Sequence, residues 1–173
     1  MSVAHVERLA VPGPVHPALA GFVGYLWAKS AYDWQVNFGY RSLDEQAALY
    51  AQGRDSSGQV VDPAAVVTDA PPGSSPHNYG LAVDLQPLGP KDVTIDPADF
   101  DASVAYAEKA ELVDSWNSFA PPSWKLRTNL QLKERVDYAH VELVNWYTTK
   151  GSWRTGALAV VAALAVVGFL AAT

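Results

Sequence analysis

The stretch Gly73–Leu85, with the sequence GSSPHNYGLAVDL, limits the possible folds of this chain more than any other feature. It passes from a turn-forming cluster of Gly, Ser and Pro through His77 and Gly80 into an apolar run typical of a buried strand. Asp84 lies inside that run, where a carboxylate without a partner would be costly to bury. The segment is therefore either an edge strand after a loop histidine, or a strand whose carboxylate holds something charged together with that histidine.

A second strand-like stretch carries another histidine with acids beside it. In VDYAHVELV, residues 136–144, His140 is preceded by Asp137 and followed by Glu142. Alternation along a strand would put His140 and Glu142 on one face and Asp137 on the other. We expect Asp137 at or before the start of the strand, where strict alternation need not hold. If this strand neighbours the one that contains Asp84, the histidine and that carboxylate lie close together.

Three of these residues form a ligand set that suits zinc. Gly80 allows a sharp turn by which His77 can fold back toward Asp84. With His140 they would supply two histidines and one carboxylate, leaving the fourth tetrahedral position open for water, as in catalytic zinc sites. Zinc lowers the pKa of that water to about 7, and a free carboxylate, best supplied by Asp137, must take up its proton. Histidines and acids also occur together by chance, so the spacing alone leaves a chance grouping open.

The motifs resemble those of a known family. The run from Ser75 to Asp84 matches the pattern S-x-H-x-x-G-x-A-x-D of a zinc peptidase family. Its members are the D-alanyl-D-alanine dipeptidases and carboxypeptidases and the L-alanyl-D-glutamate endopeptidases, including several phage endolysins. GYRSLDEQAALYAQG, residues 39–53, resembles the upstream arginine and helix of the family, and DYAHVE, residues 137–142, resembles its acid-x-x-His element. The resemblance spans residues 35–145.

The resemblance implies an α+β fold of the hedgehog/D-Ala-D-Ala peptidase type, with a small antiparallel sheet flanked by helices. It implies a Zn2+ cofactor held by His77, Asp84 and His140. Asp137 would be the catalytic acid/base. Arg41, placed before a capped helix, would be the cation that binds a substrate carboxylate or the tetrahedral oxyanion.

Two further positions in these motifs have less specific roles. Ser75 would hydrogen-bond within the site, and Glu142 would orient a metal ligand from behind. Each of these two residues is equally compatible with a structural role, and Arg41 is compatible with a solvated position on the surface.

The residue at position 137 bears on the substrate. The acid before the second histidine is usually glutamate in the carboxypeptidase and dipeptidase branches, whereas Asp137 resembles the L-alanyl-D-glutamate endopeptidase branch. The resemblance therefore favours a phage or prophage lysis enzyme, an endolysin, that cleaves the peptidoglycan stem peptide between L-Ala and D-Glu. The D-Glu carboxylate would be a partner for Arg41. The alternatives are a D-Ala-D-Ala carboxypeptidase of wall remodelling and a non-catalytic, zinc-containing wall-binding module.

The local patterns predict a small α+β domain. The spacing of apolar residues predicts a helix within residues 16–32, and Ser42 with Glu45 forms a capping box for a helix over 43–52. The other predicted segments are an extended piece at 34–42, a long functional or mobile loop at 54–76, a helix within 96–119, and helix or loop at 123–136. The residues expected on one face of the helix within 96–119 are Phe100, Val104, Ala107, Leu112 and Trp116.

Length and composition narrow the classes of function. With 173 residues the chain is expected to form one domain over residues 1–150, with its core at 17–148. With a net charge of -6 and a pI near 5.0, the chain lacks the excess of basic residues that binds nucleic-acid phosphates, so no nucleic-acid partner is expected. The absence of cysteine excludes disulfides, thiolate zinc sites and a cysteine nucleophile, and leaves His, Asp and Glu as metal ligands.

The two ends of the chain predict membrane association without a secretory signal. The amino terminus lacks the basic start and apolar run of a signal peptide. Residues 155–172 are apolar and would span roughly 27 Å as a helix, with aromatic and basic residues just before them. We therefore expect a transmembrane helix at 155–172 and a domain held in the host cytoplasm until a holin-like event, or weak anchoring, lets it reach the bacterial cell envelope. A buried helix or an oligomer contact is the alternative.

Overall fold

The structure, a computed structural model, describes residues 11–93, 95–132 and 135–152. Within this part, the strands are β1 (Tyr32–Phe38), β2 (Ala82–Pro90), β3 (Leu126–Leu132) and β4 (Arg135–Leu143). They form a 4-stranded antiparallel sheet in the order β1-β2-β4-β3. The helices are α1 (Pro17–Lys29), α2 (Leu43–Ala51), α3 (Ala102–Phe119) and α4 (Trp146–Thr149), and short 3-10 turns lie at Pro63–Ala65, Pro76–Tyr79, Pro97–Asp99 and Pro122–Trp124. The predicted α+β fold with a small antiparallel sheet is confirmed.

The hydrophobic core lies against one face of the central strands β2 and β4. Helices α1 and α3 pack against each other and against the sheet. The apolar residues of β2 and β4 that face this core are Val83, Leu85, Val141 and Leu143, all nearly or fully buried. Because side chains alternate along a strand, the intervening Asp84, His140 and Glu142 project to the opposite face. The core thus fixes which side of the sheet carries the polar residues.

Helix α2 forms where the capping box predicts it. Ser42 Oγ accepts a hydrogen bond from the Glu45 amide at 3.2 Å, and Glu45 Oε2 accepts one from the Ser42 amide at 2.8 Å. The helix ends at Ala51, and Gly53 follows with a φ of 74° in the left-handed region. The sequence predictions for α1, the extended segment of β1, β2 and β4 are confirmed as well.

The buried face of α3 differs from the predicted one. Val104 is 55% exposed and Ala107 is also exposed, although the sequence predicts both on one face with Trp116, which is buried. The buried residues are Ala105, Lys109, Val113 and Trp116. These positions follow the spacing of three and four residues of a single helix face. The lysine within this row breaks the apolar pattern, and for that reason the sequence pointed to a different face.

The segment predicted as helix or loop at 123–136 contains a strand. After the turn Pro122–Trp124, β3 runs from Leu126 to Leu132 at the edge of the sheet, beside β4. Apart from Thr128, its sequence LRTNLQL alternates apolar and polar residues, a period of two that is typical of a strand. Its many polar residues and the nearby basic residues hid this period of two.

The predicted transmembrane segment at 155–172 lies outside the described residues. Within the part of the chain that the structure describes, no helix has the length and apolar character needed to cross a membrane. The division into a domain over 1–150 and a hydrophobic tail stays a prediction.

Candidate active site

His77 is held in a fixed orientation by a turn and a hydrogen bond. It lies on the 3-10 turn Pro76–Tyr79, which Gly80 ends in the left-handed conformation, with a φ of 69°. The side chain is buried, and its Nδ1 donates to the Gly39 carbonyl at 2.8 Å. Because Nδ1 carries the proton in this bond, Nε2 is left to present its lone pair to β2 and β4.

Asp84 and His140 meet through the register of the sheet. They are direct partners across the antiparallel pair of β2 and β4. Asp84 Oδ1 lies 3.0 Å from His140 Nδ1 and 3.4 Å from His77 Nε2, and the two histidine nitrogens are 3.2 Å apart. The three candidate ligand atoms lie within 4.8 Å of one another. The structure therefore brings together the three residues that the sequence predicts as a ligand set.

Glu142 lies behind His140. Its Oε2 accepts from His140 Nε2 at 2.9 Å, and its Oε1 accepts from Arg127 Nε at 2.7 Å. The carboxylate is almost fully buried. This hydrogen bond leaves Nδ1 of His140 facing Asp84 and His77, so Glu142 fixes the orientation of the ring.

Asp137 lies inside β4, two residues after its start, whereas the sequence predicts it at or before the start of the strand. The pairing of β3 with β4 shifts between Thr128, which pairs with Val141, and Leu130, which pairs with Asp137. Strand β4 thus contains two more residues than β3 over this interval, which is a bulge. The bulge breaks strict alternation, and Asp137 lines the same cleft as His140.

These residues share one cleft of about 710 Å3. The cleft is lined by the two histidines, by Asp84, Asp137 and Glu142, and by Arg41. Residues 67–71, from the long loop that the sequence marks as functional or mobile, form part of the wall. Ser75 also lines the cleft and is buried, but its side chain makes no capping hydrogen bond to the turn that follows.

Residues 25–119 match the family described as VanY, D-alanyl-D-alanine carboxypeptidase. This match covers more than half of the chain. The chain belongs to the VanY family. The matched range contains Arg41, His77 and Asp84 and ends before Asp137 and His140, which line the same cleft in the structure.

Individual relatives agree with this assignment. The chain is 38% identical over 93 residues to the peptidoglycan L-alanyl-D-glutamate endopeptidase CwlK of Bacillus subtilis, a match covering 52% of each protein. The chain thus matches about half the length of this curated relative. The structure of the Serratia marcescens L-Ala D-Glu endopeptidase ChiX has 19% identity and a TM-score of 0.51, over 83% of this chain and 89% of ChiX. This likeness shows the fold.

A further VanY-family structure has bound metal. The D,D-pentapeptidase VanY of a VanB-type resistance cassette, in complex with Zn(II), has 19% identity and a TM-score of 0.46, over 80% of this chain and 75% of that one. This similarity is too low to transfer the ion to the present chain. The case for a metal here depends on the chain's own donor atoms.

Sequence reasoning missed Gln46, which holds the arginine of this VanY-family site. Arg41 NH1 donates to Gln46 Oε1 at 3.0 Å, and the guanidinium lies 5.1 Å from the centre of the Phe38 ring. Gln46 is fully buried, and its Nε2 donates to the Ala70 carbonyl in the cleft wall at 2.8 Å. No sequence signal marks this role, because Gln46 is the one buried residue of α2 and the apolar residues of that helix are exposed or half-buried.

The charges in the cleft are strongly coupled. Burial raises the pKa of Asp84, but hydrogen bonds with His140 and His77 outweigh burial and leave the pKa well below its usual value. Burial lowers the pKa of His140, but hydrogen bonds with Asp84 and Glu142 raise it to about 9. Burial likewise raises the pKa of Glu142, and His140 and Arg127 lower it overall. The cluster therefore favours ionised carboxylates beside a positive charge.

Proposed function

We propose that this chain is a zinc-dependent peptidase that cleaves the peptide stem of peptidoglycan between L-Ala and D-Glu. The observation that carries the proposal is the convergence of His77, Asp84 and His140 in a cleft that also contains the free carboxylate of Asp137. A buried group of this kind stabilises a positive charge, and its donor set leaves a coordination position for a reacting molecule.

The donor atoms suit zinc. Two imidazole nitrogens and one carboxylate oxygen, from His77, His140 and Asp84, would hold the ion. Hydrogen bonds to the Gly39 carbonyl and to Glu142 already fix both rings with a nitrogen facing the shared centre. When bound, zinc polarises the scissile carbonyl and makes a water molecule acidic enough to attack at neutral pH.

The remaining residues of the cleft would supply proton transfer and substrate binding. Asp137 accepts a proton from the attacking water and delivers it to the leaving amine. Arg41 is held by Gln46, so its guanidinium presents a fixed pair of donors to a substrate carboxylate or to the developing oxyanion. Each role uses a side chain that already faces the cleft.

Two observations support the choice of bond. The acid at position 137 is aspartate, and the chain is 38% identical over 93 residues to an L-alanyl-D-glutamate endopeptidase. The D-Glu carboxylate next to that bond would pair with Arg41. The description of the matching family as D-alanyl-D-alanine carboxypeptidase favours a second candidate, the release of the terminal D-Ala.

Mass spectrometry of muropeptides distinguishes the two candidates. We expect digestion of purified peptidoglycan by the zinc-loaded full chain to create new L-Ala carboxyl ends and new D-Glu amino ends. Release of D-Ala without these ends would identify a carboxypeptidase instead. Undigested wall that nevertheless retains the zinc-loaded protein would support the non-catalytic binding module.

The cellular setting remains a prediction from the sequence. We propose a role in phage or prophage lysis, with a holin-like event giving access to the wall and residues 155–172 giving membrane association. Membrane fractionation with protease accessibility tests the anchor, and recovery of the full-length chain entirely in the soluble fraction would contradict it.

The ion pair behind His140 leads to a prediction about metal affinity. Glu142→Gln keeps the shape of the side chain but removes the charge that stabilises the ring as a ligand. We expect zinc affinity to fall by about tenfold to a hundredfold, as measured by competition with a chelator. Glu111→Gln, an exposed position on α3, is the control and should leave affinity unchanged. Equal affinities of the Glu142 variant and the wild type would contradict a role in holding His140.

A further inference from the structure

A fully buried lysine lies beneath the cleft. Lys109, in the middle of α3, has no exposed surface. Its ammonium donates a hydrogen bond to the Tyr138 carbonyl and lies 5.3 Å from the centre of the Tyr106 ring. Because burial of a cation is costly unless its donors are used, a lysine at this position calls for an explanation beyond packing.

The carbonyl that Lys109 holds belongs to the bulge of β4. Tyr138 lies between Asp137 and His140, in the interval where the pairing of β3 and β4 shifts. Bulges disrupt the regular ladder of backbone hydrogen bonds, so their carbonyls need other donors. Thr128 Oγ1 supplies one to the carbonyl of His140 at 2.7 Å, and the Lys109 ammonium supplies one to that of Tyr138.

A second contact ties the same residue to α3. Tyr106, one turn before Lys109, stacks on the ring of Tyr138 with 5.8 Å between ring centres and 28° between ring planes. Helix α3 therefore holds Tyr138 by its side chain and by its carbonyl. This double attachment fixes the backbone directly after Asp137.

The charge of Lys109 interacts with the carboxylates of Asp137 and Asp84. Burial lowers the pKa of Lys109 to about 7, and the negative charges of Asp137 and Asp84 oppose that shift. The ammonium of Lys109 therefore lies close enough to Asp137 and Asp84 to be attracted by their charges.

We propose that Lys109 is a positioning residue of the peptidase: by holding the Tyr138 carbonyl it maintains the bulge that turns the carboxylate of Asp137 into the cleft beside His140. The inference rests on the proposed function, because it assigns Lys109 the task of placing the acid/base. Without the bulge, the alternation of β4 would direct Asp137 and His140 to opposite faces of the sheet.

The test is Lys109→Met, assayed on purified peptidoglycan with the zinc-loaded full chain. We expect kcat to fall by about tenfold to a hundredfold, because a displacement of a catalytic group by about 1 Å costs about a hundredfold. KM and zinc stoichiometry should not change, because Arg41 and the three candidate ligands keep their own supports. Met replaces a buried charge with an apolar chain of similar length, a change that proteins often tolerate.

Lys91→Met is the matched control. Lys91 also donates to backbone carbonyls, those of Trp27 and Ser30, and its ammonium lies 5.4 Å from the centre of the Trp27 ring. Lys91 follows the last residue of β2, at the end of that strand away from Asp84. We expect this variant to be less stable but to keep the wild-type kcat.

The outcomes separate this inference from the proposed function. If the zinc-loaded wild type releases no muropeptides, the proposed function is wrong. If Asp137→Asn is as active as the wild type, Asp137 is not the acid/base and the positioning role of Lys109 is wrong with it. If Asp137→Asn is inactive while Lys109→Met keeps the wild-type kcat, only the role of Lys109 is wrong. A kcat loss accompanied by loss of zinc would also overturn the positioning role. In the Asp137→Asn background, Lys109→Met should change the residual rate by less than about twofold, because both changes act through one carboxylate.

A second variant covers failure of the first to fold. Lys109→Gln keeps an N–H donor without the charge, and we expect a kcat between those of Lys109→Met and the wild type. A Gln variant with the wild-type zinc content and the wild-type kcat would show that neither the charge nor the length of the lysine positions Asp137.

Discussion

His77→Ala is expected to abolish zinc binding and to reduce peptidoglycan hydrolysis by about a thousandfold or more. His77 supplies one of three donors, and the two that remain, Asp84 and His140, are partners in the same strand pair. Metal assistance contributes several kcal/mol of charge stabilisation in a transition state, and a loss of about 4 kcal/mol corresponds to about a thousandfold in rate. Elemental analysis of the purified protein measures the zinc content, and release of soluble muropeptides measures the rate.

A second buried histidine provides the control. His16 is also buried, but it begins α1, where its Nδ1 accepts from the Ala18 amide at 3.2 Å. His16→Ala should lower the free energy of unfolding by about 1 kcal/mol and leave zinc content and rate unchanged. The metal hypothesis fails if His77→Ala keeps a full complement of zinc. Retention of zinc by His16→Ala shows that the loss in His77→Ala comes from a missing ligand and not from unfolding.

The local part of the site was predictable because its signals are local. The polar residue inside an apolar strand, Asp84, required a charged partner, and Gly80 marked the turn that brings His77 to it. The capping box of Ser42 and Glu45 likewise determines where α2 begins. Each of these features depends on residues within one turn or one strand, where propensity and alternation apply directly.

The features that the sequence did not predict depend on contacts between distant segments. Lys109 is a charged residue, and the sequence alone would place it on the surface. It can be buried because its ammonium donates a hydrogen bond to the Tyr138 carbonyl of β4. Asp137 faces the cleft because of the bulge in β4, and this bulge depends on how β4 pairs with β3. The sequence predicts helix or loop where β3 lies. The role of Gln46 in holding Arg41 is visible only in the folded chain, where its side chain also donates to the Ala70 carbonyl. Long-range pairing decides all three cases.

Asp137→Asn is expected to lower kcat by about a hundredfold to ten-thousandfold while zinc stays bound. The amide keeps the shape of the carboxylate but cannot accept the proton of the attacking water, and general acid–base catalysis contributes a factor of this size. Asp137 is outside the cluster of three candidate ligands, so the zinc content should equal that of the wild type. KM should change little, since substrate binding is assigned to Arg41. The rate is measured by muropeptide release across a range of substrate concentrations.

The same cleft contains a matched control for this substitution. Asp69 also lines the cleft, but its carboxylate is 61% exposed and pairs with Arg54 at 3.3 Å. Asp69→Asn removes the same charge from the same cavity, and we expect it to stay within about twofold of the wild-type kcat because this exposed carboxylate contacts Arg54 and none of the candidate ligands. Equal losses in the two variants would indicate that the cleft needs negative charge in general. A fully active Asp137→Asn variant with bound zinc would remove Asp137 from the mechanism, whereas a wild-type chain that holds zinc and the wall without cleaving it would identify a binding module that retains a peptidase fold.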